Sequence, residues 1–335
     1  MALVPMRQQL DEAAKGNYAL GAYNVNNMEQ IQAIMAAASG TRSPVIIQAS
    51  KGALQYSNFT YLKYLMQAAA EENPEIPTAM HLDHGNSLET VKKAISLGFT
   101  SVMIDGSLKE DSKTPTTFEE NVEVTRAVVE YAHPLGVTVE GELGTLGGIE
   151  DGVGSGIVQL TDPDQAVEFV EKTRVDALAV AIGTSHGAYK FKSAPTLALE
   201  IVKEINQRLP ELHMVMHGSS SVPEELVAIV NKYGGNMPNA KGVPMDQIQS
   251  VIPFGVRKVN IDSDGRIAIT GAIRKVFVET PEKFDPRDYL KPARTALTEL
   301  VEGKMQDLGT AGHAGDYELK TLEDLKGFYR QKGWI

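Results

Sequence analysis

What most constrains this chain is an alternation: eight short apolar runs, separated by longer stretches with apolar residues at helical spacing. The runs begin near Tyr18 (YALGAYN), Pro44 (PVIIQAS), Pro77 (PTAMHLDH), Thr100 (TSVMIDGS), Gly136 (GVTVEGELG), Val175 (VDALAVAIGT), Leu212 (LHMVMHG) and Gly255 (GVRKVNID). Continuous apolar strands with helices between them imply a parallel sheet covered on both faces. The spacing predicts helices over 28–38, 59–72, 88–97, 118–133, 163–173, 195–208 and 223–233. Two of these starts carry caps: Ser87 precedes Leu88, and Asp162 precedes Pro163, a residue suited to the first helical position. Eight such units in 335 residues predict an α/β fold, a single (β/α)8 (TIM) barrel over 1–335, with 280–335 as a C-terminal helical extension. An open doubly wound sheet is the alternative.

Composition narrows the partners. A formal charge of −11 argues against nucleic acid, which favours a basic face, and 22% charged residues suit a soluble protein. The absence of cysteine excludes disulfides and thiolate metal sites, and is compatible with a reducing cytoplasm. Residues 1–16 read as an amphipathic helix, not a signal, and no run approaches the ~18 apolar residues of a spanning helix. The expectation is a cytoplasmic enzyme with no membrane role.

Two segments break the rhythm. The stretch 144–156 (GTLGGIEDGVGSG) is glycine-rich enough to act as a mobile lid. A Gly/Pro-rich insertion holding a short helix lies before the eighth run. Beyond the eighth unit, 285–308 has apolar positions at helical spacing. It reads first as a helix packed over the barrel and second as a subunit contact.

Three apolar runs finish in the same way, with His84-Gly85, His186-Gly187 and His217-Gly218. One histidine alone is more often a hydrogen-bonded structural residue than a ligand. Three of the seven at strand ends reverse that balance, because three imidazoles with an open fourth position are a catalytic zinc pattern. His81 reads as a core residue or one supporting the site, and His133 and His213 read as structural. Asp83, beside His84, either transfers a proton or orients a histidine. Asp105 and Glu142 end strands four and five within reach of a metal, and Glu140 shares a face with Glu142. Glu150, inside the glycine-rich stretch, is either a base that closes over substrate or a solvated charge. For anions, Gly187 and Gly218-Ser219-Ser220 offer backbone N–H groups, Lys190 adds charge, and the Asn260–Ser263 turn ends strand eight.

HLDHG at 81–85, VEGELG at 139–144, GGIEDG at 147–152, GTSHG at 183–187, MHGSSS at 216–221 and KVNIDSD at 258–264 stand in one order with AYNVNN at 22–27 and QASKG at 48–52. Together they resemble the class II, metal-dependent fructose-1,6-bisphosphate aldolases, in particular the longer, Calvin-cycle-type members of the class IIB branch. The resemblance implies catalytic Zn2+ on His84, His186 and His217. Asp83 would be the proton donor and acceptor at the C4 hydroxyl, and Glu150 the base acting on dihydroxyacetone phosphate. It further implies a second divalent metal at Asp105 and Glu142, and a monovalent cation (Na+ or K+) near Gly187 and Gly218. Gly187, Lys190, Gly218, Ser219, Ser220, Asp262 and Ser263 match phosphate-binding positions, and Asn260 would steady the enediolate. Ser50 and Arg266 match positions holding the second phosphate. Arg266 would come from a neighbouring subunit of a homo-oligomer, a dimer or tetramer. The chain departs from relatives with two adjacent acids in the loop, since Ile149 precedes Glu150. The substrate implied is a sugar bisphosphate, with tagatose 1,6-bisphosphate and sedoheptulose 1,7-bisphosphate as rivals to fructose. A zinc hydrolase and a non-catalytic sugar-phosphate binder are rivals of other classes.

Overall fold

All eight predicted runs form strands, and all neighbours pair in parallel. These are β1 (Leu20–Asn24), β2 (Val45–Ser50), β3 (Thr78–Gly85), β4 (Ser101–Ile104), β5 (Thr138–Leu143), β6 (Ala177–Val180), β7 (His213–Met216) and β8 (Val256–Ile261). They close in chain order, β8 returning to β1 through Ala22 opposite Asn260. The fold is a (β/α)8 barrel, seen in a computed structural model that describes residues 2–148, 158–189 and 196–335.

The helices follow the expected spacing with small shifts. They are α1 (Met6–Gly16), α2 (Met28–Thr41), α3 (Lys51–Tyr56), α4 (Thr60–Glu72), α5 (Leu88–Ser96), α6 (Phe118–Ala132), α7 (Pro163–Thr173), α8 (Leu199–Arg208), α9 (Glu224–Lys232), α10 (Met245–Val251), α11 (Ser263–Glu279), α12 (Pro286–Asp307) and α13 (Leu322–Gln331). Ser87 and Asp162 cap α5 and α7 as predicted, each accepting backbone N–H groups of the first turn. The first helix starts at Met6, not at the terminus. Pro5 occupies its N-cap with extended backbone, and Leu3 pairs instead with Thr78. In α12, Ala293, Leu297, Val301 and Met305 are buried, and the helix packs on α2 and α11. Among the described residues, no helix is long and apolar enough to cross a membrane.

The barrel interior is layered. At the N-terminal end, Leu20, Ala22, Ile46, Ala79, Met103, Ala177, Ala179 and Val215 enclose an apolar layer, closed by Met6, Leu10 and Ala13 of α1. Above it the period-two alternation turns His81, Glu140 and Lys258 inward, all fully buried, while Met80, Val139 and Val259 face the helices. An isolated charge there would cost several kcal/mol. It is offset by pairing: Lys258 Nζ lies 3.0 Å from Glu140 Oε2. Burial and the Lys258 charge push the His81 imidazole down to about 3, so it sits neutral beside that pair. This ionic layer is the base on which the C-terminal mouth is built.

Candidate active site

Asn24, Ser50, Asp83, His84, Asp105, Glu142, His217 and Asn260 stand at or beside strand termini, which is where barrel enzymes place their chemistry. Alternation turns Asp83 inward and should turn His84 outward toward the helices. Instead the β3–β4 register shifts between Leu82 and Gly85, and His84 takes φ +47, the left-handed region. That strain, about 1–3 kcal/mol, lets two adjacent residues face one site. His217 follows β7 directly, whereas His186 lies six residues past the end of β6. Its position is set by main-chain pairing, its N–H donating to Gly147 O at 2.8 Å.

The three imidazoles converge as the sequence suggested. One donor nitrogen from each of His84, His186 and His217 lies within 4.8 Å of the others. The nearest pair, His84 Nε2 and His217 Nδ1, is 3.0 Å apart. The far nitrogens are engaged: His217 Nε2 is 2.8 Å from Glu140 Oε1, and His84 Nδ1 is 3.3 Å from Asp105 Oδ2. Such carboxylate contacts fix ring orientation and turn the inner nitrogens of His84 and His217 toward one another. Asp105 and Glu142 form a second candidate cluster with His84, and Glu142 Oε2 is buried without a hydrogen-bond partner.

The electrostatics suit a cation. Burial alone would lower the His84 imidazole. The charge of Asp83, the hydrogen bond to Asp105 and the charges of Glu142 and Asp105 outweigh it and raise it to about 10. Burial and the Asp105 charge lift Glu142 well above the usual carboxylate range. Carboxylates that hold a proton on an imidazole and on one another would equally hold a divalent ion. Three nitrogen donors with carboxylates behind them therefore fit a zinc-type site.

Asp83 is held at the mouth by two side-chain amides. Asn24 Nδ2 donates to its Oδ2 at 2.9 Å and Asn260 Nδ2 to its Oδ1 at 3.1 Å. Gln48 Nε2 donates in turn to Asn24 Oδ1, and Lys258 Nζ to Asn260 Oδ1. Burial would raise the Asp83 carboxyl, but the charges of His84, His217 and Lys258 hold it well below the usual range. Asp83 is thus a carboxylate able to accept a proton. Neither Asn24 nor Gln48 was singled out from sequence, although both stand in motifs at strand ends.

One cleft at the mouth is lined by Asp83, His84, His186, Asn260, Gly218, Ser219, Ser220, Asp262, Ser50 and Asn24. Gly218 has φ +59, and a Cβ there would fall 2.6 Å from the Ser185 backbone, so only glycine admits this close approach. Ser219 Oγ donates back to Met216 O, and Ser220 Oγ accepts the Asp262 N–H at 3.2 Å. Ser50 caps α3 beside the cleft. Gly187 continues from His186 with φ +84, and Ser263 is buried where α11 begins. Arg266, expected to serve a neighbouring subunit, stands over its own chain's Asp262. One turn of α11 brings its guanidinium onto both carboxylate oxygens, at 2.7 and 2.6 Å. Glu150, Lys190 and the centre of the lid candidate lie outside the described residues. The described stem is held by Thr145 pairing with Gln159 and Gly147 with Ser185.

The other histidines are structural. His133 contacts Asp176 at 3.0 Å, His213 contacts Asp11 at 2.8 Å, and His313 contacts Asp316 at 2.6 Å and stacks on Tyr18.

Residues 4–313 match the family model described as fructose-bisphosphate aldolase class-II. The chain is 58% identical to a fructose-bisphosphate aldolase of Giardia intestinalis, over 98% of this chain and all of that one. It is 52% identical to the class 2 fructose-bisphosphate aldolase of Synechocystis, over 98% of this chain and 96% of that one. Its fold is similar to the crystal structure of the YdjI aldolase from Escherichia coli K12, with TM-score 0.75 and 30% identity over 93% of this chain and 99% of that one. Matched along nearly its whole length by both the family model and these relatives, the chain belongs to the class-II fructose-bisphosphate aldolase family.

Proposed function

We propose that this enzyme reversibly cleaves fructose 1,6-bisphosphate to dihydroxyacetone phosphate and glyceraldehyde 3-phosphate, with Zn2+ held by His84, His186 and His217. The observation that carries the reading is the convergence of three imidazole donors within 4.8 Å beside an ionised Asp83. Bound there, the ion would act as a Lewis acid for the charge that develops on the substrate's carbonyl oxygen, a contribution of several kcal/mol. Asp83 takes the proton of the C4 hydroxyl as the C3–C4 bond breaks, so that C4 becomes the aldehyde carbon and C3 keeps the electron pair. Glu150, assigned on sequence alone, returns a proton to that carbon. Asn24 and Asn260 hold the Asp83 carboxylate, and Asn260 also steadies the enediolate.

Gly187, Lys190, Gly218, Ser219, Ser220, Asp262 and Ser263 would bind one phosphate, and Ser50 and Arg266 the other. Asp105 and Glu142 would take a second divalent ion, and a monovalent cation would sit near Gly187 and Gly218. A homo-oligomer and a cytoplasmic location belong to the same reading. Exposed Phe277, Val278 and Phe284 on the α11–α12 side support association of copies.

The test is a coupled cleavage assay with the metal removed and restored. We expect activity to disappear with a chelator and return with Zn2+, and kcat/KM to be highest for fructose 1,6-bisphosphate. Cleavage that survives complete metal removal sinks the metal assignment. A preference above about tenfold for the tagatose or sedoheptulose bisphosphate transfers the substrate.

A further inference from the structure

The loop leaving β7 carries three of the groups proposed for phosphate, Gly218, Ser219 and Ser220, and it is held in a shape its sequence does not favour. Val222 has φ +50, the left-handed region that a β-branched residue almost never adopts. Such a conformation persists only where the surroundings over-determine it. Here they are a buried carboxylate and a buried ammonium. Asp264, fully buried in the first turn of α11, accepts the Val222 N–H at 2.7 Å and the Ser221 N–H at 3.0 Å. The Ser221 hydroxyl lies 3.1 Å from the same carboxylate. Lys304, in the last turn of α12 and 5% exposed, pairs with Asp264 at 3.1 Å and donates to Ser221 Oγ. The opposite side is closed by Gly242, where a Cβ would fall 2.2 Å from Ser220 O, and by the Val243 N–H, which donates to that oxygen.

The proposed chemistry does not explain a buried lysine so far along the chain. A buried ammonium is unfavourable unless it is paired, and among the described residues this one pairs with the groups that bend the loop. We infer that Lys304 and Asp264 form a strut through which α12 sets the geometry of the phosphate loop. Lys304 is a positioning residue for substrate, acting through Asp264 and the Ser221–Val222 backbone. The inference rests on the reading of Gly218–Ser220 as a phosphate site.

The test compares the zinc-loaded wild type with Lys304→Met, Lys304→Arg and the charge-neutral double variant K304M/D264N. The readouts are kcat and KM for fructose 1,6-bisphosphate, competitive inhibition by inorganic phosphate, zinc content, and hydrogen exchange of peptides covering 217–223. Removing the strut should raise KM and the phosphate inhibition constant about tenfold, with kcat changed less than about threefold. Zinc content should hold, exchange in the loop should quicken, and Lys304→Arg should restore binding. If Lys304→Met fails to fold, the double variant, which leaves no unpaired buried charge, carries the comparison. A fall in thermal stability with KM and phosphate inhibition unchanged would overturn the inference. Absence of phosphate competition in the wild type overturns the loop assignment itself, and the strut with it.

Discussion

Asp83 and His84 are neighbours in the chain with different proposed tasks, and their surroundings keep those tasks apart. Asp83 is held by two amides and donates no ligand to the three-imidazole cluster, so removing it takes away a proton acceptor while His84, His186 and His217 stay in place. Asp83→Ala should therefore retain zinc while kcat falls about 10²–10⁴-fold, the usual worth of a positioned acid–base group. Metal analysis beside steady-state kinetics checks this, and near-normal kcat refutes the role. Asn24→Ala should give a smaller loss of kcat, again with zinc retained, because one of the two amides remains. Much of this site was legible in the sequence, because three apolar runs end in His-Gly and strand ends gather at one barrel mouth. Asn24 was not, since an asparagine after a strand is commonplace and its partner is 59 positions away. Nor was the turn at His84, because alternation assigns neighbouring residues to opposite faces, and only the β3–β4 register shift overrides it.

At the scale of elements, the eight strands and most helices were legible because each has its own period, cap or breaker. The joins were not, because they depend on residues far apart in sequence. Asp176, just before β6, shows this at the end of the barrel opposite the site. It meets His133 at 3.0 Å, accepts the Val139 N–H at 2.8 Å and the Tyr329 hydroxyl of α13 at 2.9 Å, and pairs with Arg7 of α1. Burial would raise its carboxyl. The charge and hydrogen bond of His133, with Arg7 and the Val139 amide, outweigh burial and hold it below the ordinary range. A depressed carboxyl contributes stability that is fully present above the unfolded value of about 3.9 and lost as pH falls through the folded value. Asp176→Asn should cost about 3 kcal/mol at pH 7. It should also flatten the loss of stability between pH 5 and the acid limit. Urea unfolding across that range measures both, and parallel pH profiles for the two proteins would refute the assignment.

For the molecule as a whole, the proposed metal ties together β3, the segment after β6 and β7, all walls of one closed barrel. An ion that binds only the folded state stabilises it by about 2.7 kcal/mol at a hundredfold excess over Kd. Calorimetry should therefore show a lower Tm for the chelated enzyme, recovered on adding zinc. A Tm indifferent to zinc would place the ion outside these walls. The opposite end is closed from within, by a helix whose seat is drawn from the entire polypeptide. Arg7 N–H donates to Thr138 Oγ1, Gln9 bonds the carbonyls of Val45 and Pro77, and Gln8 bonds the backbone of Glu318 and Lys320. The helix that closes this end thus has a seat that is complete only with a contact reaching 310 positions along the chain. The apolar face of that helix settles only on strands as far along as β7, and its polar seat lies further on still, so closing this end waits on non-local contacts that form slowly and leave Met6 and Leu10 open to misassociation until they do.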